Sequence, residues 1–211
     1  VPVVSEKFEL EGHVTRGIRL QGKVTEVSQD THARISPAEV LAKLRPVYEG
    51  GVQTGGNSSA LVDAAAASVV SCGSFARQWS QVQGRKPLAQ LLAASVVGVP
   101  PATMGIGPAP AIRLLLQRTG LRLDQIDRFE INEAQGAQTL SVARELGLNL
   151  DKLNVNGGAI ALGHPLAATG VRLTITLARE LQRSGLRLGV ASACIGGGQG
   201  IALLIENKTP K

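Results

Sequence analysis

The chain holds 211 residues, carries a formal charge of +6, and is 44% hydrophobic but only 2% aromatic. That length supports one domain with a core, or one and a half. Too few rings are present for a stacking platform on single-stranded nucleic acid, and no apolar run reaches the roughly 20 residues of a membrane span. Lys and Arg are scattered, which fits a solvated surface and leaves a polyanionic small-molecule partner open.

Residues 1 to about 50 are polar and irregular, punctuated by Gly12, Gly17, Gly22 and Pro37. A helix is expected over Pro37–Leu44, with Ser36 as cap, Pro37 at the first position and Glu39 at the third. Gly50, Gly51, Gly55 and Gly56 mark a break, and the domain boundary is placed there. Beyond it, Ala64–Val70 is small and apolar, Ser74–Val82 reads as a short helix, and Leu88–Val99 as a buried strand. Gly105, Gly107 and Pro108 read as a loop, Pro110–Arg118 as a helix, Asp127–Asn132 as a strand and Glu133–Leu146 as a helix. Glycine loops at Gly157–Gly158 and Gly163 lead to an amphipathic helix, Ala167–Arg183. Leu188–Ala193 and Ile201–Ile205 read as an antiparallel strand pair joined by Gly196, Gly197, Gly198 and Gly200. Strands alternating with helices predict an α/β layered domain.

Three stretches could carry chemistry. Asn132-Glu133-Ala134 sits at a strand-to-helix junction, where sites form in open α/β sheets; a helix cap is the plainer reading of Asn132. In residues 154–165, Asn-Val-Asn-Gly-Gly-Ala-Ile-Ala-Leu-Gly-His-Pro, the glycines allow close backbone approach. His164 is presented at the mouth of the following helix, whose dipole favours neutral imidazole; a structural His is the alternative. Cys194-Ile-Gly-Gly-Gly-Gln-Gly puts a thiol beside a glycine turn whose N–H groups could bind an oxyanion; Cys194 could equally be a small buried hydrophobe. Gly105-Ile-Gly107-Pro-Ala-Pro110 resembles a dinucleotide fingerprint, but Pro110 replaces its third glycine, and no Walker loop occurs.

Cys72 and Cys194 make neither a disulfide framework nor a zinc site, and Cys72 reads as structural. A reducing compartment is expected, the cytoplasm or alternatively the mitochondrial matrix. No secretory signal is visible. Residue 1 is Val, which leaves open a processed fragment, a trimmed chain, or one of two chains.

Together these stretches resemble the thiolase family. Residues 154–165 follow its Asn-x-Asn-Gly-Gly-Ala-Ile-Ala-x-Gly-His-Pro signature, residues 194–200 its Cys-x-Gly-Gly-Gly-x-Gly, and residues 132–134 its Asn-Glu-Ala. Met104–Pro108 resembles the Met-Gly-x-Gly-Pro loop, and Gly55–Ser59 part of a Thr-Ala-Gly-Asn-Ala-Ser stretch. The resemblance implies a layered α/β/α domain with a mixed sheet, residues 51–211, forming the second half of a five-layered core. Residues 1–50 would be the tail of a loop domain. It also implies acyl transfer between 3-oxoacyl-CoA or acetyl-CoA and CoA, with coenzyme A as substrate and no permanently bound cofactor.

The nucleophilic cysteine would lie on an N-terminal thiolase half, a separate chain, the pair forming dimers or tetramers without nucleic acid or membrane span. By resemblance, His164 activates that cysteine, and with a water held by Asn132 forms the first oxyanion hole. Cys194 is the general acid/base. The Gly196 N–H joins the second oxyanion hole. Ser59 contacts the pantetheine arm, and Met104 lines the acyl or thioester pocket. Gln135, Ala167, Ala60 and Val62 depart from the family's usual Phe, Gly, Gly and Asn, all beside the CoA channel. A non-catalytic thiolase-like subunit that binds acyl-CoA or scaffolds a complex is the rival reading.

Overall fold

The computed structural model describes residues 2–9, 11–12, 16–20 and 22–209. The chain divides into two compact units, Val1–Ile35 and Ser36–Lys211. Within the first unit, β1 (Val3–Val4) would be an isolated pair of residues but for β4, and β2 (Glu6–Phe8) is matched by β3 (Arg16–Ile18). Both pairings, β2 with β3 and β1 with β4 (Glu26–Val27), are antiparallel. The sequence reading gave this stretch no elements, because strands of two or three residues are too short to show a period.

The second unit begins with a single turn, α1 (Ala38–Leu41), with Pro37 at the cap position and its carbonyl accepting from the Val40 and Leu41 N–H groups. The boundary between the two compact units follows Ile35. Gly56 packs so tightly under Leu41 and Leu44 that a Cβ there would overlap both, tying residues 38–56 together. The apolar stretch 64–70 forms no regular element. It leads to α2 (Gly73–Gln83), which buries none of its residues and stops at Gly84, whose positive φ ends the helix.

The core is a four-stranded mixed sheet in the order β5 (Gln90–Gly98), β8 (Gln199–Glu206), β7 (Leu188–Ile195), β6 (Arg128–Ile131). The β7–β8 hairpin is antiparallel, as expected; β5 pairs antiparallel with β8, and β6 parallel with β7. Alternation along the strands sorts their side chains to two faces. One face meets α3 (Pro108–Thr119), where Ile112 and Leu115 pack with Phe129, Ile131, Val190 and Leu204. The other meets α6 (Thr169–Ser184), where Leu173, Leu177 and Leu181 pack with Ala191 and Ile205. Gly189 is required there, since a Cβ would run into Leu177. The layered α/β class with a mixed sheet is borne out.

Two expectations need correction. The Leu88–Val99 run is not buried on both faces: β5 is an edge strand whose Ala93, Ser95 and Val97 turn toward α3, while Val96 is 55% exposed. The apolar run fixed the strand but could not say how many layers this chain supplies. The helix expected from Glu133 starts later, as α4 (Gly136–Leu146), with Gln135 at its cap position. A one-turn helix, α5 (Ala159–Leu162), sits where the glycine loops were expected. Among the described residues no helix is long and apolar enough to cross a membrane.

Candidate active site

Asn132 follows directly on β6, and its N–H donates to the Ser192 carbonyl at 2.9 Å, extending the ladder one step. Since α4 starts four residues later, Asn132 does not cap it. Its side chain is fully buried, and neither the amide oxygen nor the amide nitrogen has a hydrogen-bond partner among the described residues. A buried amide left so is costly unless something else occupies its bonds.

Asn154, with φ +46°, holds the strand end rigid. Its amide accepts from the Ile131 N–H at 2.8 Å and donates to the Ile131 carbonyl at 2.9 Å and to Glu133. Glu133 also accepts from the Ile160 N–H, and a Cβ on Gly158 would strike its carboxylate. Gly158 therefore makes room for Glu133.

A strap, residues 57–60, joins two of the motifs. Ser58 bridges Gln135, the Ser59 N–H and hydroxyl both donate to the Ala134 carbonyl, and Ala60 accepts from the His164 N–H at 2.8 Å. Val62 fills the space above Gly163, whose φ of +92° and missing Cβ are both needed there. So Val62, one of the departures from the family pattern, packs directly beside the His164 loop.

His164 is half-buried, five residues ahead of Thr169, the first residue of α6. Its Nδ1 lies 2.6 Å from the Thr169 hydroxyl. Burial, and then the Arg172 guanidinium, hold the imidazole below its ordinary pKa, so the ring is neutral at pH 7.

Arg172 lies 4.0 Å from Glu130, which is buried on the same side of β6. None of its guanidinium nitrogens has a hydrogen-bond partner among the described residues. Burial pushes the Glu130 carboxyl up to about 7, with Arg172 opposing. Glu180, also buried, behaves oppositely: burial raises it, but hydrogen bonds from Arg183, Asn156 and Ser184 bring it down to about 2. Glu130 lies deeper and lacks such hydrogen bonds, and both differences separate the two carboxylates.

Cys194 is the penultimate residue of β7, paired with Gly200. Gly200 presses against Gly107, where a Cβ would overlap the backbone, so the Met104–Pro108 loop sits tight against the hairpin. Burial raises the Cys194 thiol above its ordinary pKa, which keeps it protonated near neutrality. Gly196 lies in the exposed turn with open space around its Cα.

By strand alternation Cys194 belongs to the α3 side, with Leu188 and Val190, whereas Asn132 belongs with Glu130 to the α6 side. The strap therefore ties the His164 loop to Ala134, two residues beyond Asn132, while Cys194 lies with Gly200 beside the Met104–Pro108 segment. Asn132 and Cys194 stand near the carboxy ends of β6 and β7 on opposite faces of the sheet, where the Asn132 N–H bonds the Ser192 carbonyl. A hollow of about 360 Å³ lies elsewhere, lined by Leu41, Leu44, Val52 and Asn57 among others; Asn132, His164, Cys194, Gly196, Ser59 and Met104 do not border it.

A family model described as the thiolase C-terminal domain matches residues 85–207. The chain belongs to the thiolase family. It is 44% identical over 192 residues to an acetyl-CoA acetyltransferase of Syntrophomonas wolfei, covering 89% of this chain and 48% of that protein. With an Escherichia coli acetyl-CoA acetyltransferase the identity is 48% over 181 residues, covering 85% and 45%. The solved structure of human mitochondrial 3-ketoacyl-CoA thiolase in complex with CoA superposes with a TM-score of 0.76 at 42% identity, covering 88% of this chain and 47% of that one. The chain thus spans about half the length of the curated thiolase relatives it matches.

The sequence reading of this thiolase-family chain passed over Asn154, Glu130, Thr169 and Arg172 as individual residues. Asn154 had a signal, standing first in the Asn-x-Asn-Gly-Gly motif. Glu130 had none: in Asp127–Asn132 the polar residues alternate with Phe129 and Ile131 and read as a solvated face. Thr169 and Arg172 look like ordinary positions of an amphipathic helix, and only the packing of α6 beside the His164 loop reveals them.

Proposed function

We propose that this chain is the C-terminal half of a thiolase that transfers acyl groups between 3-oxoacyl-CoA and CoA. The half bearing the nucleophilic cysteine lies outside these 211 residues, and we place it on a separate chain. What supports the reading is the Asn132 amide, buried and unpartnered at the carboxy end of β6, with the His164 loop tied through Ala60 and Ser59 to Ala134 close by.

In the cleavage direction the partner's thiolate attacks the 3-oxo carbon, and the tetrahedral intermediate collapses as the C2–C3 bond breaks. Acyl-cysteine and the enolate of acetyl-CoA result. Neutral His164 accepts the thiol proton that frees the nucleophile. His164, with a water held by Asn132, then stabilises the enolate oxygen. Cys194, protonated at neutral pH, gives its proton to the enolate carbon and then takes one from the incoming CoA thiol. The N–H of Gly196, an exposed turn residue, donates to the oxyanion formed on the acyl-cysteine. In this reading Ser59 contacts the pantetheine arm and Met104 lines the acyl or thioester pocket.

The test is acetoacetyl-CoA thiolysis by the chain combined with an N-terminal thiolase half. Cys194→Ala should lower turnover by about 10²- to 10⁴-fold while acyl transfer to the partner cysteine persists. Unchanged turnover removes Cys194 from the mechanism. An inactive complex that still binds CoA supports the non-catalytic reading instead. An intact-mass spectrum of the natural protein decides whether the second half is a separate chain.

A further inference from the structure

Thr169 makes two contacts with a single hydroxyl. Its Oγ1 lies 3.0 Å from the Pro165 carbonyl and 2.6 Å from His164 Nδ1. A hydroxyl has one proton to donate and lone pairs to accept with. Were that proton given to Nδ1, the approach to the Pro165 oxygen would be two acceptors face to face. Given to Pro165, as in the common bond from a helical Thr to the carbonyl four residues back, it leaves Oγ1 accepting from an Nδ1–H. Only that arrangement makes both contacts hydrogen bonds.

We propose that Thr169 is a positioning residue for His164, its hydroxyl relaying between the Pro165 carbonyl and Nδ1–H so that the ring is held in one tautomer with Nε2 unprotonated. This rests on the reading of His164 as the base. The surroundings agree with it. Thr169 is buried at the first turn of α6, so water does not compete for its hydroxyl. Arg172 stands one turn further on and disfavours a second proton on the ring. The His164 N–H is fixed to Ala60, so the backbone of the loop is held as well as the ring. A base requires one nitrogen free and aimed at the reacting group; the second nitrogen's partner decides which is free.

The experiment uses the chain labelled with 15N-histidine and paired with an unlabelled N-terminal half. The chain has three histidines, and His164→Gln assigns the resonance. Couplings between ring nitrogens and ring protons report the tautomer. The wild type is expected to show unprotonated Nε2. Thr169→Val should move the ring to the other tautomer or a mixture, and Thr169→Ser should restore the original pattern; Thr169→Ala gives the same readout should the valine variant not fold. Turnover should fall by about tenfold to a hundredfold in Thr169→Val, less than the roughly 10²- to 10⁴-fold that a positioned base contributes, and recover in Thr169→Ser. A wild-type Nε2–H ring, or a tautomer indifferent to Thr169, overturns the proposal. His164→Ala is the separate check on the base: full activity there, with a Thr169-dependent tautomer, sinks that reading and leaves the positioning intact.

Discussion

The two faces of the sheet are finished to different degrees. On the α3 side, Phe129, Ile112, Leu115, Val190 and Leu204 form a closed apolar core. On the α6 side, one helix covers part of the sheet, and a row across it runs from Val96 through Ile201 and Ala193 toward Asn132. Val96 is 55% exposed and Ile201 37%. The same face carries Glu130, Arg172 and the Asn132 amide, buried polar groups short of partners. The α3 face holds the fold together; the α6 face is left partly open on this chain, which is what the proposed N-terminal half would cover.

The sharpest way to break this contrast is to cut each face equally. Phe129→Ala should cost about 3–5 kcal/mol, the range for emptying a buried aromatic site. Ile201→Ala, at a partly exposed position of the other face, should cost under about 1 kcal/mol in the chain by itself. Denaturant midpoints read both. Comparable losses would mean that the α6 face is as complete as its opposite.

Next in size is the buried pair. Arg172→Met leaves Glu130 without its countercharge, and removing one member of such a pair costs about 3–5 kcal/mol. Arg172→Met with Glu130→Gln should recover most of it, and the double-mutant cycle measures the coupling. Additivity would show that Glu130 and Arg172 do not sense each other.

How much of this was legible in the sequence follows from what a motif encodes. The strands β6, β7 and β8 and the helices α3, α4 and α6 were readable from their periods, because each buries a regular stripe. Asn132, His164 and Cys194 were readable as candidates because glycines, which have little other use at such density, surround two of them. Two features were not. The exposure of β5 was not legible, since an apolar run reads alike whether one face or both are covered. The Glu130–Arg172 and His164–Thr169 contacts join residues on different elements, and no local pattern marks one buried polar pair above another surface-like pair.

Glu130 also gives the contrast a pH dependence. Its carboxyl is raised to about 7 in the folded chain, against an unfolded value near 4.3. A raised carboxyl binds its proton more tightly when folded, so its share of stability is full below the unfolded value and is lost as pH rises through about 7. Between pH 5 and 8 that share should shrink by about 2 kcal/mol. Glu130→Gln should flatten the decline; an unchanged slope would show the loss to arise elsewhere. His164 works the other way. Its lowered pKa withdraws stability as pH falls below the unfolded histidine value, and Arg172→Met, by removing a neighbouring positive charge, should make that loss smaller while its onset stays at the unfolded value.

The smallest effect concerns stability, and it bears most directly on the uncovered face. Val96→Lys with Ile201→Lys places two charges where the sheet is open on this chain. Neither side chain is closely packed, so the unfolding midpoint should shift by no more than about 0.5 kcal/mol per site. Light scattering should nevertheless change, because the wild-type chain alone presents an apolar row that favours self-association and the double variant does not. The same variant should bind an N-terminal thiolase half more weakly, since each Lys would have to be desolvated beneath the added layer. If the variant pairs as well as the wild type, the incoming layer does not rest on Val96 and Ile201, and the row leading to Asn132 is surface in the assembled protein too.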